Sequence, residues 1–295
     1  MRPKYIFMII FIISLMLYFK YFLLMDKNME IFQDKLNIID DEIKHENPQI
    51  INKIFDLTKP PTDDYKYIPC RLSKSINNVI TTLCVHEITK DGWVSSSIWK
   101  YGVWEENIVT KVLNSLSKNP ESLFLDIGAQ VGEYSLYAAK LGCDVLTVEP
   151  FYDNIMRIHK AAFNESLGDK ITLIKNAISN RRGEIKLLKR EATNIGGQSL
   201  IENKNRNFTK DDMLNQNDTN SKYFVETILF DDIVYNLPLN KDGREYTTAI
   251  MKIDIESFEP YAFQYASKLF DTLKILVIYM EWGNYLYRAI NRKSL

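Results

Sequence analysis

The chain has 295 residues, of which 46% are hydrophobic and 25% are charged, and its formal net charge at pH 7 is −1. These values suit one globular domain with appendages, and the near-zero charge argues against a nucleic-acid partner, for which a basic domain is typical. The three cysteines are too few for a disulfide scaffold, and the three histidines lack i, i+4 spacing, so no metal site is predicted.

The N-terminal segment at residues 5–25 is almost entirely apolar, and Lys20 is its single charged side chain. Its length suits a membrane-spanning helix, which needs about 20 mostly apolar residues. A cleaved signal peptide and a buried globular helix are the alternatives, but no small-residue cleavage site follows the segment. We therefore predict a transmembrane signal anchor.

Charges on either side of this segment indicate its orientation. Arg2 and Lys4 precede it, whereas Lys27 after it is offset by Asp26. Because cytosolic flanks carry an excess of Lys and Arg, residues 1–4 are predicted to form a short cytosolic tail. The rest of the chain would then face the lumen of the endoplasmic reticulum or Golgi apparatus, as in a type II membrane protein.

Residues 26–64 are charged, with apolar residues at loose helical spacing until Pro48 interrupts the pattern. We predict a stalk or linker here, which ends near the turn-rich sequence KPPTDDY. One folded domain is predicted at residues 65–295. In an oxidising lumen Cys70 and Cys84 can form a disulfide, and two ordinary thiols are the alternative.

Strand and helix patterns alternate from Trp93 onward. Apolar runs predict strands at residues 122–128, 144–150, 170–179, 183–190, 224–234, 248–256 and 274–282. Amphipathic patterns predict helices at residues 103–116, 133–142, 152–166 and 260–270. This alternation predicts a doubly wound α/β fold whose mostly parallel sheet carries helices on both faces. The polar insertion at residues 194–220 is either a substrate lid or a surface loop.

Polar residues follow the predicted strands at their carboxyl ends. They are Asp126, Glu149, Asn176, Asp254, Glu256 and Glu281. Ligands of open α/β sheets bind beyond the carboxyl ends of the strands, where the strand order reverses. We therefore expect these residues to meet at one site, since a solvated face does not require so many acids.

The turn after the first of these strands limits the kinds of ligand. Its sequence GAQVG places Gln130 between Gly128 and Gly132, where dinucleotide-binding loops have a glycine. Asp126 would also repel a phosphate, and the absence of a following Gly-Lys-Ser/Thr excludes a P-loop. A nicotinamide-dependent reductase is therefore disfavoured.

The same residues suit a cationic nucleoside. S-adenosylmethionine carries a sulfonium and an ammonium group and no phosphate, so Asp126 can attract it. The two glycines admit its amino-acid part without Cβ clashes, and Glu149 can accept both ribose hydroxyls. A simpler alternative remains open, in which Gly128 only turns the chain and Asp126 caps the following helix.

The segments FLDIGAQVGEYSLYAA, TVEP, LIKNAIS, TILFDDIV and MKIDIESFE occur in this order between residues 102 and 282. They resemble, in turn, the first motif, the ribose-binding strand end, the third strand, the Leu-Asp-Asp segment and the Lys-x-Asp-x-Glu-Gly-x-Glu signature of the FkbM family of methyltransferases. The resemblance implies a class I, Rossmann-like methyltransferase fold and S-adenosyl-L-methionine as the cofactor. The cofactor-binding residues it implies are Asp126, Gly128, Gln130, Gly132, Glu149, Asn176 and Ala177.

The resemblance also implies methyl transfer to a hydroxyl group. Asp254 and Glu256 are the candidate catalytic residues, because a hydroxyl acceptor must give up its proton to a nearby base. In the alternatives, Asp254 holds the ammonium group of the cofactor, or the pair binds a divalent cation. The expected acceptor is a small molecule or a glycan of the secretory pathway.

The chain departs from the family pattern at two places. Ser257 replaces the glycine of the signature, and the sequence stops at Leu295, too soon after the fifth strand for the last two strands of the family's sheet. We therefore expect a sheet without those strands, whose fifth strand is an apolar edge that a partner or a second copy can cover. The alternative is that the chain continues beyond Leu295. The alternative to an enzyme is a non-catalytic, membrane-tethered binding protein derived from the same fold.

Overall fold

The computed structural model describes residues 52–189, 193–201 and 221–280. The predicted tail at residues 1–4, the predicted anchor at 5–25 and Glu281 lie outside these residues, as does most of the polar insertion. Within them, no helix is long and apolar enough to cross a membrane.

The regular elements of the described chain are mostly short. Its strands are β1 (Ile54–Phe55), β2 (Cys70–Leu72), β3 (Thr82–Cys84), β4 (Leu123–Ile127), β5 (Val145–Val148), β6 (Ile171–Ile174), β7 (Ala177–Ile178), β8 (Ile185–Leu187), β9 (Phe224–Ile228), β10 (Thr248–Ile253) and β11 (Lys274–Met280). Its α-helices are α1 (Val94–Tyr101), α2 (Glu106–Lys118), α3 (Glu133–Leu141), α4 (Tyr152–Asn164), α5 (Glu259–Phe263) and α6 (Ser267–Thr272).

The central sheet has six strands in the order β1-β6-β5-β4-β10-β11. All neighbouring strands run parallel except β1, which pairs antiparallel with β6. The chain proceeds from β4 outward to β6 and then returns to place β10 on the other side of β4, so the strand order reverses between β4 and β10. The predicted mixed α/β fold with a mostly parallel sheet is confirmed, and it is compatible with a Rossmann-like fold.

Alternate residues of the central strands enter two separate cores. Phe124 of β4 packs with the buried faces of α2, α3 and α4, whereas Leu123 and Leu125 pack with α5, α6 and the 3-10 helix Phe230–Asn236. Because successive side chains of a strand point to opposite faces, a strand covered on both sides needs an unbroken apolar run. This explains the continuous hydrophobicity of LFLDI and VLTV.

Strand β1 lies within residues 26–64, which the sequence predicts to be a stalk. It pairs with β6, and Leu57 immediately after it is 2% exposed in the core. The sheet therefore begins before the predicted domain boundary at residue 65. A two-residue strand followed by prolines carries too weak a pattern to be recognised without its partner.

Strands β2 and β3 form a hairpin in which Cys70 lies directly opposite Cys84. The two cysteines form a disulfide, whereas Cys143 is a buried free thiol. Of the two alternatives that the sequence leaves open for Cys70 and Cys84, the structure thus has the cross-strand bond.

Three predicted elements differ from the observed ones. The strand expected at residues 170–179 is divided into β6, in the central sheet, and β7, which pairs with β9 in a separate sheet. The strand expected at residues 224–234 ends at Ile228, because the Asp232 carboxylate accepts the Leu229 N–H at 2.9 Å and begins a 3-10 helix. The helix expected at residues 260–270 is divided into α5 and α6. Asp231 occupies this break, where its N–H donates to Tyr265 O and its carboxylate caps α6 at the Leu269 N–H.

Candidate functional site

A cavity of about 360 Å³ lies beyond the carboxyl ends of the parallel strands, beside the point where strand order reverses. Its lining includes most of the site residues predicted from the sequence. These are Gly128 after β4, Gln130, Glu149 after β5, Asn176 and Ala177 after β6, and Asp254 and Glu256 after β10. Asp126 and Gly132 do not line it.

Gly128 allows the loop after β4 to lie against the end of β10. Its φ is +78°, and a Cβ at this position would lie 1.9 Å from the backbone oxygen of Asp254. Any side chain would therefore force the two segments apart, in addition to straining a left-handed backbone. Glycine is thus required here by a contact within the protein, between this loop and the Asp254 backbone.

Gly132 has a different role, in helix packing. It precedes α3 with a φ of +81°, and a Cβ would lie 2.7 Å from Cγ1 of Ile158 on α4. Between the two glycines, Gln130 also has a left-handed backbone, with a φ of +53°. Its side chain lies next to Gly196, whose added Cβ would come within 2.8 Å of Gln130 Nε2.

Asp126 is fully buried behind this loop. Its Oδ2 accepts hydrogen bonds from the Ser135 N–H at 3.0 Å and from Ser135 Oγ at 2.5 Å, which holds the first turn of α3. Burial raises the pKa of Asp126, although the Lys252 charge and the Ser135 hydrogen bonds oppose this shift. The helix-capping alternative therefore describes its observed contacts, and its negative charge can reach a ligand only through space.

Glu149 lies at the edge of the cavity, 4% exposed. Its Oε2 accepts the Gln130 N–H at 2.7 Å, and its Oε1 accepts the Phe151 N–H at 2.8 Å and Asn154 Nδ2 at 3.2 Å. Burial raises the pKa of Glu149 to about 7, against the effect of these hydrogen bonds. Since Oε1 already accepts two hydrogen bonds, most of the remaining acceptor capacity is at Oε2.

Asn176 is fully buried, and its side chain is committed to the fold. Its Oδ1 accepts the Lys53 N–H at 2.8 Å, and its Nδ2 donates to Glu226 O at 3.2 Å. The amide thus joins β1 and β9 to the end of β6. A ligand at this end of the cavity would instead contact Ala177, Ile178 and Leu188, which form an apolar wall.

Lys252 was not among the residues predicted for the site, yet it lines the cavity and is buried. Its Nζ donates to Gly128 O at 3.1 Å and lies 3.8 Å from the Asp254 carboxylate. Burial opposes its protonation, but Asp254, Asp126 and other carboxylates outweigh burial and raise its pKa. The sequence could have predicted this position, because residues 252, 254 and 256 are two apart along one strand and its extension, and such residues point to the same face.

Two acids at the start of neighbouring helices were also missed. Glu133 is buried, accepts the Trp104 N–H at 2.8 Å with Oε1, and has no hydrogen-bond partner for Oε2 among the described residues. Burial raises its pKa well above the usual value. Glu105 accepts the Tyr134 hydroxyl at 3.0 Å. Acidic residues are common at helix N-termini, so no sequence pattern indicates that either of these two lies in the cavity.

Carboxyl groups dominate the charged lining of the cavity. Glu105, Glu133, Glu149, Asp254 and Glu256 line it, and Lys252 is the one Lys or Arg among its described lining residues. Such a surplus raises the local concentration of cations and disfavours anions. The lining also includes the aromatic side chains of Trp104, Phe258 and Trp93, of which Trp93 is 62% exposed.

Within the described residues there is no group of three or more His, Cys, Asp or Glu side chains arranged to hold a metal ion. Comparison with protein-family models finds none that matches the chain, and comparison with curated proteins finds no match either.

Proposed function

We propose that this chain is an S-adenosylmethionine-dependent O-methyltransferase. The observation that carries the proposal is the cavity itself, where a glycine turn, the buried Glu149 carboxylate and a surplus of carboxyl groups lie beside the reversal point of a mostly parallel sheet. Ligands of such sheets bind at this point. On this proposal the fold is a class I methyltransferase fold, of the kind that the FkbM family has.

The chemistry of the lining residues fits this cofactor. S-adenosylmethionine would supply an electrophilic methyl group on a positively charged sulfur. Glu105, Asp254 and Glu256 give the cavity the negative charge that attracts such a cation. Glu149 would accept ribose hydroxyls through Oε2, and the wall at Ala177 and Ile178 would pack against the base.

Asp254 and Glu256 are the groups proposed to accept a proton from the hydroxyl of the acceptor. Both line the cavity, and the Asp254 side chain is 31% exposed, so an acceptor can reach it. The Lys252 Nζ lies 3.8 Å from the Asp254 carboxylate, and a carboxylate can act as the base that this step needs. Trp104 and Phe258 would exclude water from the same end.

The proposed location is the lumen of the secretory pathway, with residues 5–25 as the anchor and the body exposed to luminal acceptors. The Cys70–Cys84 disulfide supports this location, since such bonds persist in oxidising compartments. The acceptor class proposed is a hydroxylated molecule such as a glycan. A protease-protection experiment on microsomes tests the location, and digestion of the body from the cytosolic side would overturn it.

Calorimetry of the full-length protein in detergent micelles tests the cofactor. We expect S-adenosylmethionine to bind and ATP not to bind, because the carboxyl-rich cavity repels phosphates. Glu149→Gln should weaken binding by about tenfold or more, the effect of losing hydrogen bonds to a charged group. Glu165→Gln is the matched control, since Glu165 pairs with Lys140 outside the cavity. Absence of binding to the wild-type protein would overturn the proposed function.

A further inference from the structure

A buried chain of hydrogen bonds reaches the cavity through residues that have no role in the site described so far. Its centre is Asn154 in the first turn of α4, which is 1% exposed. Asn154 Nδ2 donates to Glu149 Oε1 at 3.2 Å and to Gly196 O at 2.9 Å. Its Oδ1 lies 2.7 Å from Nε2 of His86, which is 2% exposed.

The orientation of the Asn154 amide is determined by its neighbours. Glu149 Oε1 and Gly196 O are both acceptors, so the NH₂ group must face them and Oδ1 must face His86. His86 therefore donates from Nε2. Burial, followed by the Arg157 charge, lowers the pKa of His86 to about 4, so the ring is neutral near pH 7. It stacks on Phe151 with its ring centre 6.4 Å away.

Gly196 belongs to a loop at residues 193–201 that forms one wall of the cavity. Asn194, Gly196, Gly197, Gln198 and Leu200 all line it. The loop is also held from outside, where the Gly92 N–H donates to Thr193 O at 2.9 Å and the Ile195 N–H donates to Lys90 O at 3.1 Å. Two further backbone bonds join it to β8 and the chain just after it, from the Lys189 N–H to Ser199 O at 2.7 Å and from the Ile201 N–H to Leu187 O at 2.9 Å. Asn154 attaches Gly196 of this loop to Glu149 at the end of β5.

We propose that Asn154 is a positioning residue, which fixes the Glu149 carboxylate toward the ribose of a nucleoside ligand and attaches the loop at residues 193–201 to it, with His86 as its orienting partner. The ligand part of this inference rests on the proposed function. The attachment of the loop does not, because it concerns contacts within the protein alone.

The electrostatic consequence follows from the Asn154 donor. A hydrogen bond to a carboxylate stabilises its ionised form, so loss of the Asn154 N–H should raise the pKa of Glu149 above about 7. Among the other charged or titratable groups, Lys252 on β10 acts on Glu149, Glu133 and Asp254 line the same cavity, and His86 lies behind Asn154. None of these is removed by a substitution at Asn154.

The test uses the full-length protein with Asn154→Leu, which keeps the side-chain volume and removes both donors. Without any ligand, hydrogen–deuterium exchange of residues 193–201 should become faster in this variant. Calorimetry with S-adenosylmethionine from pH 6 to pH 9 should show that the variant binds it at least about tenfold more weakly than the wild type near pH 7. The pH below which binding weakens should also move upward, a change that a merely structural defect would not produce.

Two substitutions at His86 distinguish loss of the Asn154 orientation from a general folding defect. His86→Gln retains an N–H donor for Asn154 Oδ1 and should bind like the wild type, whereas His86→Phe removes the donor and should shift both readouts in the direction of Asn154→Leu. If Asn154→Leu does not fold, this pair gives the answer.

Unchanged loop exchange and an unchanged pH profile in the folded variants would overturn the inference. If the wild-type protein binds no S-adenosylmethionine, the proposed function fails and the ribose part with it, whereas the exchange data still decide whether Asn154 attaches the loop.

Discussion

The two sides of the cavity are held in different ways. The β5 side, defined by Glu149, Asn154 and Asn176, is buried and fixed by hydrogen bonds from backbone and amide groups. The β10 side, defined by Lys252, Asp254, Glu256 and Ser257, is partly exposed at residues 254–257. It combines the ion pair of Lys252 and Asp254 with the hydrogen bond from the Asp254 N–H to Ile127 O, and its Glu256 and Ser257 have φ angles of +56° and +77°.

This contrast separates two physical tasks. Hydrogen bonds with fixed directions preserve a shape, which on the proposed function suits recognition of a cofactor that is the same in every turnover. Charges with partial exposure keep a group able to change its protonation state, as a base must. The predictions below test this division, from the largest expected effect to the smallest.

Gly128→Ala should break the junction between the two sides. The added methyl group would overlap the Asp254 backbone oxygen, and we expect the free energy of unfolding to fall by about 3 kcal/mol or more. Gly142→Ala is the matched control, because its φ is +106° but no atom lies within 4 Å of the added Cβ. It should cost about 1–2 kcal/mol, from the left-handed backbone alone. Equal losses in urea unfolding would contradict the observed contact.

Glu149→Gln should change how stability depends on pH. The folded-state pKa of Glu149 is about 7, above its ordinary 4.5, so the wild type loses stability as pH rises between these values. The variant lacks this loss, and its stability relative to the wild type should rise by roughly 2–3 kcal/mol from pH 4 to pH 8.

The control for this pH series is Glu165→Gln. Burial of Glu165 opposes ionisation, but hydrogen bonds from Lys140 and Thr82 outweigh it and lower the pKa. Between that lowered pKa and the ordinary 4.5 the wild type therefore gains stability as pH rises, and this variant should show a relative loss when the series is extended below pH 4. Thermal unfolding across the pH series measures the stability of both variants relative to the wild type. If the two relative stabilities changed in the same direction with pH, the burial argument for Glu149 would be refuted.

Lys252→Met should lower the free energy of unfolding by about 2 kcal/mol at pH 7, because Gly128 O loses its donor and several buried carboxyl groups lose their cation. The deficit should shrink at lower pH as those carboxyl groups become protonated. Lys140→Met removes a partly exposed pair with Glu165 and should cost less than about 1 kcal/mol. Similar losses in the two variants would mean that Lys252 does not stabilise the β10 side.

Ser257→Gly should stabilise the protein by about 0.5–1 kcal/mol, since glycine adopts a φ of +77° without the strain of a Cβ. Ser267→Gly at the start of α6 should instead be destabilising, because glycine weakens a helix. Denaturant midpoints suffice to measure both. A loss of stability in Ser257→Gly would show that the serine side chain contributes more than its backbone strain costs.

Residues that act at strand ends were predictable from the sequence, and residues that act through other residues were not. Gly128, Glu149 and Asp254 directly follow long apolar runs, so the general position of ligand sites in α/β sheets predicts that they come together. Asn154 and His86 are separated by 68 residues and meet only because α4 packs beside the segment after β3. No local pattern contains that contact.

The same reasoning explains the differences in the fold. Strands β4, β5 and β10 are buried on both faces, so their apolar composition alone identifies them as strands. Strand β1 has no such pattern and is defined by its pairing with β6. Asp126 was ambiguous for a related reason. A carboxylate before a helix can cap it or bind a ligand, and the hydrogen bonds to Ser135 distinguish the two only in three dimensions.

The attachment of β1 has a mechanical consequence. Lys53 O accepts the Lys175 N–H at 2.7 Å, and the Lys53 N–H donates to Asn176 at the cavity. Any tension carried along the chain from residues before Asn52 would act on these two bonds and on the Asn52 side chain, which donates to Asp232 O and Asn236 Oδ1. Peeling β1 away would remove the Lys53 donor from Asn176 Oδ1 and leave the bond from Asn176 Nδ2 to Glu226 O, so a pull on the N-terminal side would change the hydrogen bonding of a residue that lines the cavity.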